Sequence, residues 1–258
     1  MIELIRIVKK FGDLVAVNDL TLTVPKGEFF AVLGPNAAGK TTTIRILSGL
    51  IKPTSGTARV AGFDVQAEPL EVRRRMAYVP DFPFLYEKLT AWEFFRFIGQ
   101  LFRMDNRQIQ TAATELIARF NLGEYVNKPI EGLSHGTRQR IAILSALLHD
   151  PEVFVIDEPM VGLDPHHARI VKDILKERSV AGMTVFLSTH QLSVAEEMAD
   201  RIGIIHQGRL IALGTREELR QQSGAEGPLE QTFLALTAQE ANVSEEHAPA
   251  VKREPVTQ

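Results

Sequence analysis

FFAVLGPNAAGKTTTIRILSGL, residues 29–50, runs an unbroken apolar stretch into a loop of small residues and then into a segment with helical apolar spacing. FFAVL (29–33) has the length and bounds of a strand buried on both faces. GPNAAGKT (34–41) follows it directly, and TTIRILSGL opens a helix. This order is that of a phosphate-binding loop in its structural context. The backbone N–H groups of such a loop and of the helix start converge on phosphate, so the chemistry requires small residues. Gly34, Pro35, Asn36, Ala37, Ala38, Gly39 and Thr42 form the cradle, Lys40 adds a point charge, and the Thr41 hydroxyl reaches toward Mg²⁺. The competing reading is a chance glycine-rich turn before a helix, and the strand and helix flanks argue against it.

Working outward, VFVIDEP (153–159) ends a second apolar strand in two acids, which a buried sheet does not tolerate without a ligand. Asp157 is then a candidate for the Mg²⁺ shell and Glu158 for the general base that polarises an attacking water. A strand that simply ends in solvated acids is the alternative. TVFLSTH (184–190) brings His190 to the carboxyl end of a third such strand, where ligands gather in parallel sheets, although a structural histidine also fits there. Ile2 to Ile7 and Leu14 to Val24 alternate around Gly12 and Asp13 and predict antiparallel strands. Between about Thr90 and Leu148 helices replace strands. Thr90 and Glu93 form a capping box ahead of a segment carrying Trp92, Phe94, Phe95, Phe97 and Phe102. The expected architecture is therefore α/β: a parallel core sheet, an antiparallel β-subdomain and an inserted helical subdomain. One short helix is expected after the SGAEGP break, and a disordered polar tail over 238–258.

The chain has 258 residues, 45% of them hydrophobic, enough for one substantial domain. With 29 basic against 32 acidic residues there is no broad basic field for nucleic acid, and with no cysteine there is neither a disulfide framework nor a thiolate site. MIELIRIVKKFGD lacks a signal-peptide core, and no run approaches the ~20 apolar residues that span a bilayer. A cytoplasmic location is expected, with any membrane association through a partner.

Taken together, these residues resemble the ATP-binding subunit of ABC transporters over about residues 2–236, a P-loop NTPase of the ABC type. The family's adenine-stacking aromatic, Walker A, Q-loop, signature, Walker B, D-loop and switch histidine are matched by Phe11, GPNAAGKT, the loop at Asp81, LSHGT (133–137), VFVIDEP, GLDP (162–165) and His190. The resemblance implies an ATPase using ATP and Mg²⁺. It implies two such domains, homodimer or paralogue pair, sandwiching two ATP molecules, with Ser134, His135 and Gly136 of one chain meeting the nucleotide on the other. It also implies a separate transmembrane permease, placing the chain on the inner face of the cell membrane, and it looks most like subunits that serve exporters. A soluble ABC ATPase acting on nucleic acid or ribosomes is the alternative, but it would normally carry two nucleotide domains or a coiled-coil insertion.

Three positions depart from the family pattern. Ala37 replaces a usual glycine, which costs about 1–2 kcal/mol if the backbone there has positive φ. His135 and Thr137 alter the signature. Asp81 stands where glutamine is usual, and is expected to act as a Mg²⁺ or water ligand that couples the nucleotide to the helical subdomain; a solvated loop aspartate is the alternative. KK before Phe11 and GD after it predict a loop position for that platform. Phe82, Phe84 and Tyr86 are the preferred partner contacts, with core packing the competing role for the remaining aromatics.

Overall fold

The computed structural model describes residues 1–224 and 227–246. In chain order the elements are β1 (Ile2–Phe11), β2 (Leu14–Val24), β3 (Phe29–Leu33), α1 (Lys40–Leu47), β4 (Ser55–Val60), β5 (Phe63–Asp64), α2 (Pro69–Arg75), β6 (Met76–Val79), α3 (Ala91–Leu101) and α4 (Asn106–Arg119). They continue with α5 (His135–Leu147), β7 (Val153–Asp157), α6 (Pro165–Val180), β8 (Thr184–Thr189), α7 (Leu192–Met198), β9 (Arg201–His206), β10 (Arg209–Gly214), α8 (Arg216–Ser223) and α9 (Leu229–Glu246).

Two sheets organise the chain. A six-stranded sheet has the order β10-β9-β3-β8-β7-β6, and a four-stranded one β2-β1-β4-β5. From β9 to β6 every pairing of the larger sheet is parallel, and β10 closes its edge antiparallel to β9. The continuous apolar runs now have a physical reason. Phe29, Ala31 and Leu33 of β3 enter one core cluster while Phe30 and Val32 enter the other, so both faces of the strand are covered. The same split occurs in β7, where Phe154 and Ile156 face one cluster and Val153 and Val155 the other.

The smaller sheet is antiparallel throughout, as the alternation in residues 2–24 predicts. Strands β6, β9 and β10 are not evident in the sequence. MAYV is too short to stand out, and RIGIIH and RLIALG begin with arginine around a tight turn whose Gln207 and Gly208 have φ of 47° and 78°.

The interval 90–148 holds α3, α4 and α5. Capping boxes at Thr90/Glu93 and Asp105/Gln108 open the first two helices. Phe94, Phe95, Ala113, Leu116, Ile141 and Leu144 carry these helices onto one face of the large sheet. One expectation is corrected at the C-terminus. The helix after the SGAEGP break is not short, because α9 runs from Leu229 to Glu246 and so enters the stretch expected to be disordered. Residues 247–258 of that stretch lie outside the described residues.

His149, just past α5, stacks on Phe102 with ring centroids 3.5 Å apart. Burial drives its pKa from 6.5 down to about 4, against a smaller opposing pull from Asp150. The unfolded chain binds the proton more tightly, so this group's contribution is complete above pH 6.5 and is lost as pH falls toward 4. Acidification through that window is expected to remove about 3 kcal/mol of stability. Urea midpoints should fall steeply over this range in the native chain and less steeply in His149→Leu; equal slopes would refute the assignment.

Candidate functional site

The C-terminal ends of β3, β7 and β8 lie side by side and open onto a cavity of about 970 Å³. Asn36, Ala37, Ala38, Gly39, Lys40, Thr41 and Thr42 line it from one side, and Asp81, Asp157, Glu158 and His190 from the others. Gly34 and Pro35 do not line it; their carbonyls accept hydrogen bonds from Lys40.

The loop is shaped by close backbone approach. A Cβ on Gly34 would stand 2.3 Å from the Ile205 carbonyl oxygen, and one on Gly39, at φ 108°, 2.5 Å from that of Ala16. Glycine is required at both. Gly39 caps α1 without a side chain, which leaves the helix N-terminus for an anion. Ala37 has φ 63°, so the substitution of the usual glycine carries its cost: alanine holds a left-handed conformation at about 1–2 kcal/mol. The turn between β9 and β10, invisible as a functional element in the sequence, braces this loop through Gly208, whose N–H donates to the Ala38 carbonyl at 2.9 Å.

Lys40 is 7% exposed and donates to the carbonyls of Gly34 at 2.6 Å and Pro35 at 3.1 Å. Burial holds its pKa below the usual lysine value, and the carboxylates of Glu158 and Asp157 pull the other way. The Thr41 hydroxyl donates to Asp157 Oδ2 at 3.1 Å, bringing two hard oxygen ligands together at the end of β7.

Glu158, the next residue, has φ 48°, a strained value for a side chain of its size. Its N–H donates to the Ser188 carbonyl at 2.9 Å. Its Oε1 lies 2.8 Å from His190 Nδ1, and its Oε2 accepts from the Thr189 hydroxyl at 3.0 Å. An ionised carboxylate only accepts, so Nδ1 of His190 carries the proton in this contact. Thr189 escapes a reading of the sequence, although it sits beside a residue that the sequence does single out.

Asp81 shares the cavity. Burial and the Asp157 carboxylate push its pKa above the usual range, and His135 and His190 draw it back. Phe11 is 49% exposed and its ring lies 4.8 Å from Lys9 Nζ. It is not in a loop: it ends β1, paired with Leu14 across the turn, because Gly12 at φ 57° makes the connection tight.

Ser134, His135 and Gly136 do not line this cavity. Ser134 caps α5, its Oγ accepting the Thr137 N–H at 3.3 Å. His135 and Gly136 lie against Gly162, where a Cβ would come within 2.1 Å of His135 Cδ2.

A family model described as ABC transporter matches residues 17–161. The daunorubicin/doxorubicin resistance ATP-binding protein DrrA of Streptomyces peucetius is 40% identical over 224 residues, covering 87% of this chain and 68% of that protein. A solved structure described as the ATP-binding subunit of an ABC transporter superposes with a TM-score of 0.88 at 32% identity, covering 92% of this chain and 99% of the other. A dimeric ATP-binding cassette in a post-hydrolysis state, bound to ADP and Pi, superposes with a TM-score of 0.77 at 27% identity over 83% of this chain and 98% of its own.

Proposed function

Since the chain belongs to the ABC transporter family as an ATP-binding, ATP-hydrolysing subunit, we propose that it drives export through a separate permease at the inner face of the membrane. Residues 2–236 are the working unit in this reading. The observation that carries it is the loop after β6. Asp81, Phe82 and Phe84 all line the nucleotide cavity, and Phe82, Phe84 and Tyr86 are 71%, 94% and 58% exposed. A segment that borders the nucleotide cavity and also presents exposed aromatic surface suits a coupling contact with a partner helix. Among the described residues no helix is long and apolar enough to cross a membrane, so the translocation path in this reading belongs to the partner. The resistance name of the daunorubicin/doxorubicin relative supports the outward direction in this reading.

Within the site, Phe11 stacks the adenine, and the loop amides and Lys40 hold the phosphates. Among the described residues no three His, Cys, Asp or Glu side chains could form a metal site by themselves. That fits Mg²⁺, which takes one or two protein oxygens and completes its shell with phosphate oxygens and water. Thr41 and Asp157 would hold it, with Asp81 as a further ligand to the metal or to the attacking water. The ion would neutralise charge on the phosphates. Glu158 accepts the proton of the attacking water, and His190 passes from Glu158 toward the γ-phosphate. A second copy, or a paralogue, supplies Ser134, His135 and Gly136.

Replacing Phe82, Phe84 and Tyr86 together by serine is expected to release the chain from membranes carrying its permease. Phe82 and Phe84 also line the cavity, but the loop amides and Lys40 hold the phosphates, so ATP affinity should change by less than about threefold. Intact co-purification of the triple variant with the permease would overturn the coupling role.

A further inference from the structure

Ser188, Thr189 and His190 are consecutive, and each takes hold of a different atom of Glu158. Ser188 accepts its N–H, Thr189 donates to Oε2 and His190 to Oε1. The two side-chain tethers differ in permanence. His190 lies beyond the end of β8 with a side chain 55% exposed, so it has room to turn away. Thr189 is 2% exposed and is the last residue of the strand, next to Ser188, which pairs with Asp157 in the parallel ladder. A second contact fixes the polarity of its hydroxyl. The Gln191 N–H donates to the same Oγ1 at 3.0 Å, so the hydroxyl proton is directed to the carboxylate.

A glutamate carboxylate turns freely about its last torsion, which is broad and nearly two-fold. If Oε1 loses His190 to the nucleotide, nothing on the Glu158 side chain itself keeps that oxygen aimed at a water. Pinning Oε2 removes the freedom, and misplacement of a catalytic group by about 1 Å can cost about 10²-fold.

We propose that Thr189 is a positioning residue for ATP hydrolysis: its hydroxyl anchors Oε2 of Glu158 so that Oε1 is presented to the attacking water when His190 departs. The inference rests on the reading of Glu158 as the general base. Thr189→Val is close to isosteric and removes the donor, whereas Thr189→Ser keeps it. With Mg²⁺-ATP, Thr189→Val should lower kcat about tenfold, the scale of one hydrogen bond to a charged group. KM and equilibrium ATP binding should stay within twofold, and the ATP-loaded dimer should live correspondingly longer. Thr189→Ser should return kcat to within about threefold of the native chain, since it keeps that donor. Urea midpoints of both variants separate this outcome from damage to the fold. If Thr189→Val does not fold, Thr189→Ala set against Thr189→Ser decides in the same way. A folded, donor-less variant with kcat within twofold of native, or a serine variant as slow as the valine one, overturns the proposal. Glu158→Gln run in parallel keeps the two readings apart. An inert Glu158→Gln beside a fully active Thr189→Val removes only the role of Thr189, while an active Glu158→Gln removes the base itself.

Discussion

Glu158→Gln is expected to lower ATP turnover by about 10²–10⁴, the range for loss of a general base, while ATP affinity stays within a few-fold of native. Glutamine fits the hydrogen-bond geometry around residue 158. Its amide oxygen accepts from the Thr189 hydroxyl as Oε2 does, and its NH₂ donates to His190 Nδ1 once that ring takes the other tautomer. The backbone contact to Ser188 does not involve the side chain. The substitution therefore removes basicity and leaves packing in place. With hydrolysis stopped, the ATP-bound pair has no route to the post-hydrolysis state. Size exclusion in Mg²⁺-ATP should show a stable dimer that the native chain does not accumulate. Turnover within tenfold of native would mean that another group accepts the proton.

The strain at Glu158 bears on why the residue is held so firmly. A φ of 48° costs on the order of 1–3 kcal/mol and persists only where surrounding contacts over-determine it. Three contacts from the end of β8 supply that constraint. The carboxylate is thereby aimed into the cavity by the register of β7 against β8, which places Asp157 opposite Ser188. Chain order and strand register are thus the physical link from VFVIDEP and TVFLSTH to one site.

This link also accounts for what the sequence disclosed and what it did not. The phosphate loop was legible because the backbone is its ligand, so its residues must be small and adjacent. Asp157 and Glu158 were legible because an acid at the end of a buried apolar strand is penalised unless it has a ligand to meet, and His190 because it follows such a strand at the carboxyl end of the sheet, where ligands gather. Thr189 was not, since a threonine ending a β-strand is ordinary and its value lies in a partner 31 positions away. The brace from Gly208 to Ala38 was hidden for the same reason. The polar neighbours of Phe11 predict a loop, yet strand pairing with Leu14 prevails over local composition. The length of α9 exceeds the expectation because a polar composition does not prevent a helix anchored over its first two turns: Leu229 is fully buried and Leu236, seven residues on, nearly so.

Two variants that are each inactive, Lys40→Ala and Ser134→Arg, are expected to recover ATPase activity when mixed. The cavity that holds Lys40 contains nothing from the stretch 134–136, and Ser134 sits at the start of α5, outside that cavity. A helix start of this kind can bind an anion through partial positive charge, and in the proposed dimer it would meet a phosphate held by the other chain. In the Lys40→Ala homodimer both sites lack the ammonium. In the Ser134→Arg homodimer both lack the helix start, because a long side chain fills its approach. The mixed dimer concentrates both lesions in one site, where the substituted position 40 of one chain faces the substituted position 134 of the other. The remaining site has Lys40 of the second chain and Ser134 of the first, both native. Its turnover should appear on mixing, rise with the proportion of mixed dimer, and vanish when both substitutions are placed in the same chain and paired with itself. If Lys40 and Ser134 served one ATP within a single chain, every mixed dimer would carry a lesion in each site, and mixing would restore nothing.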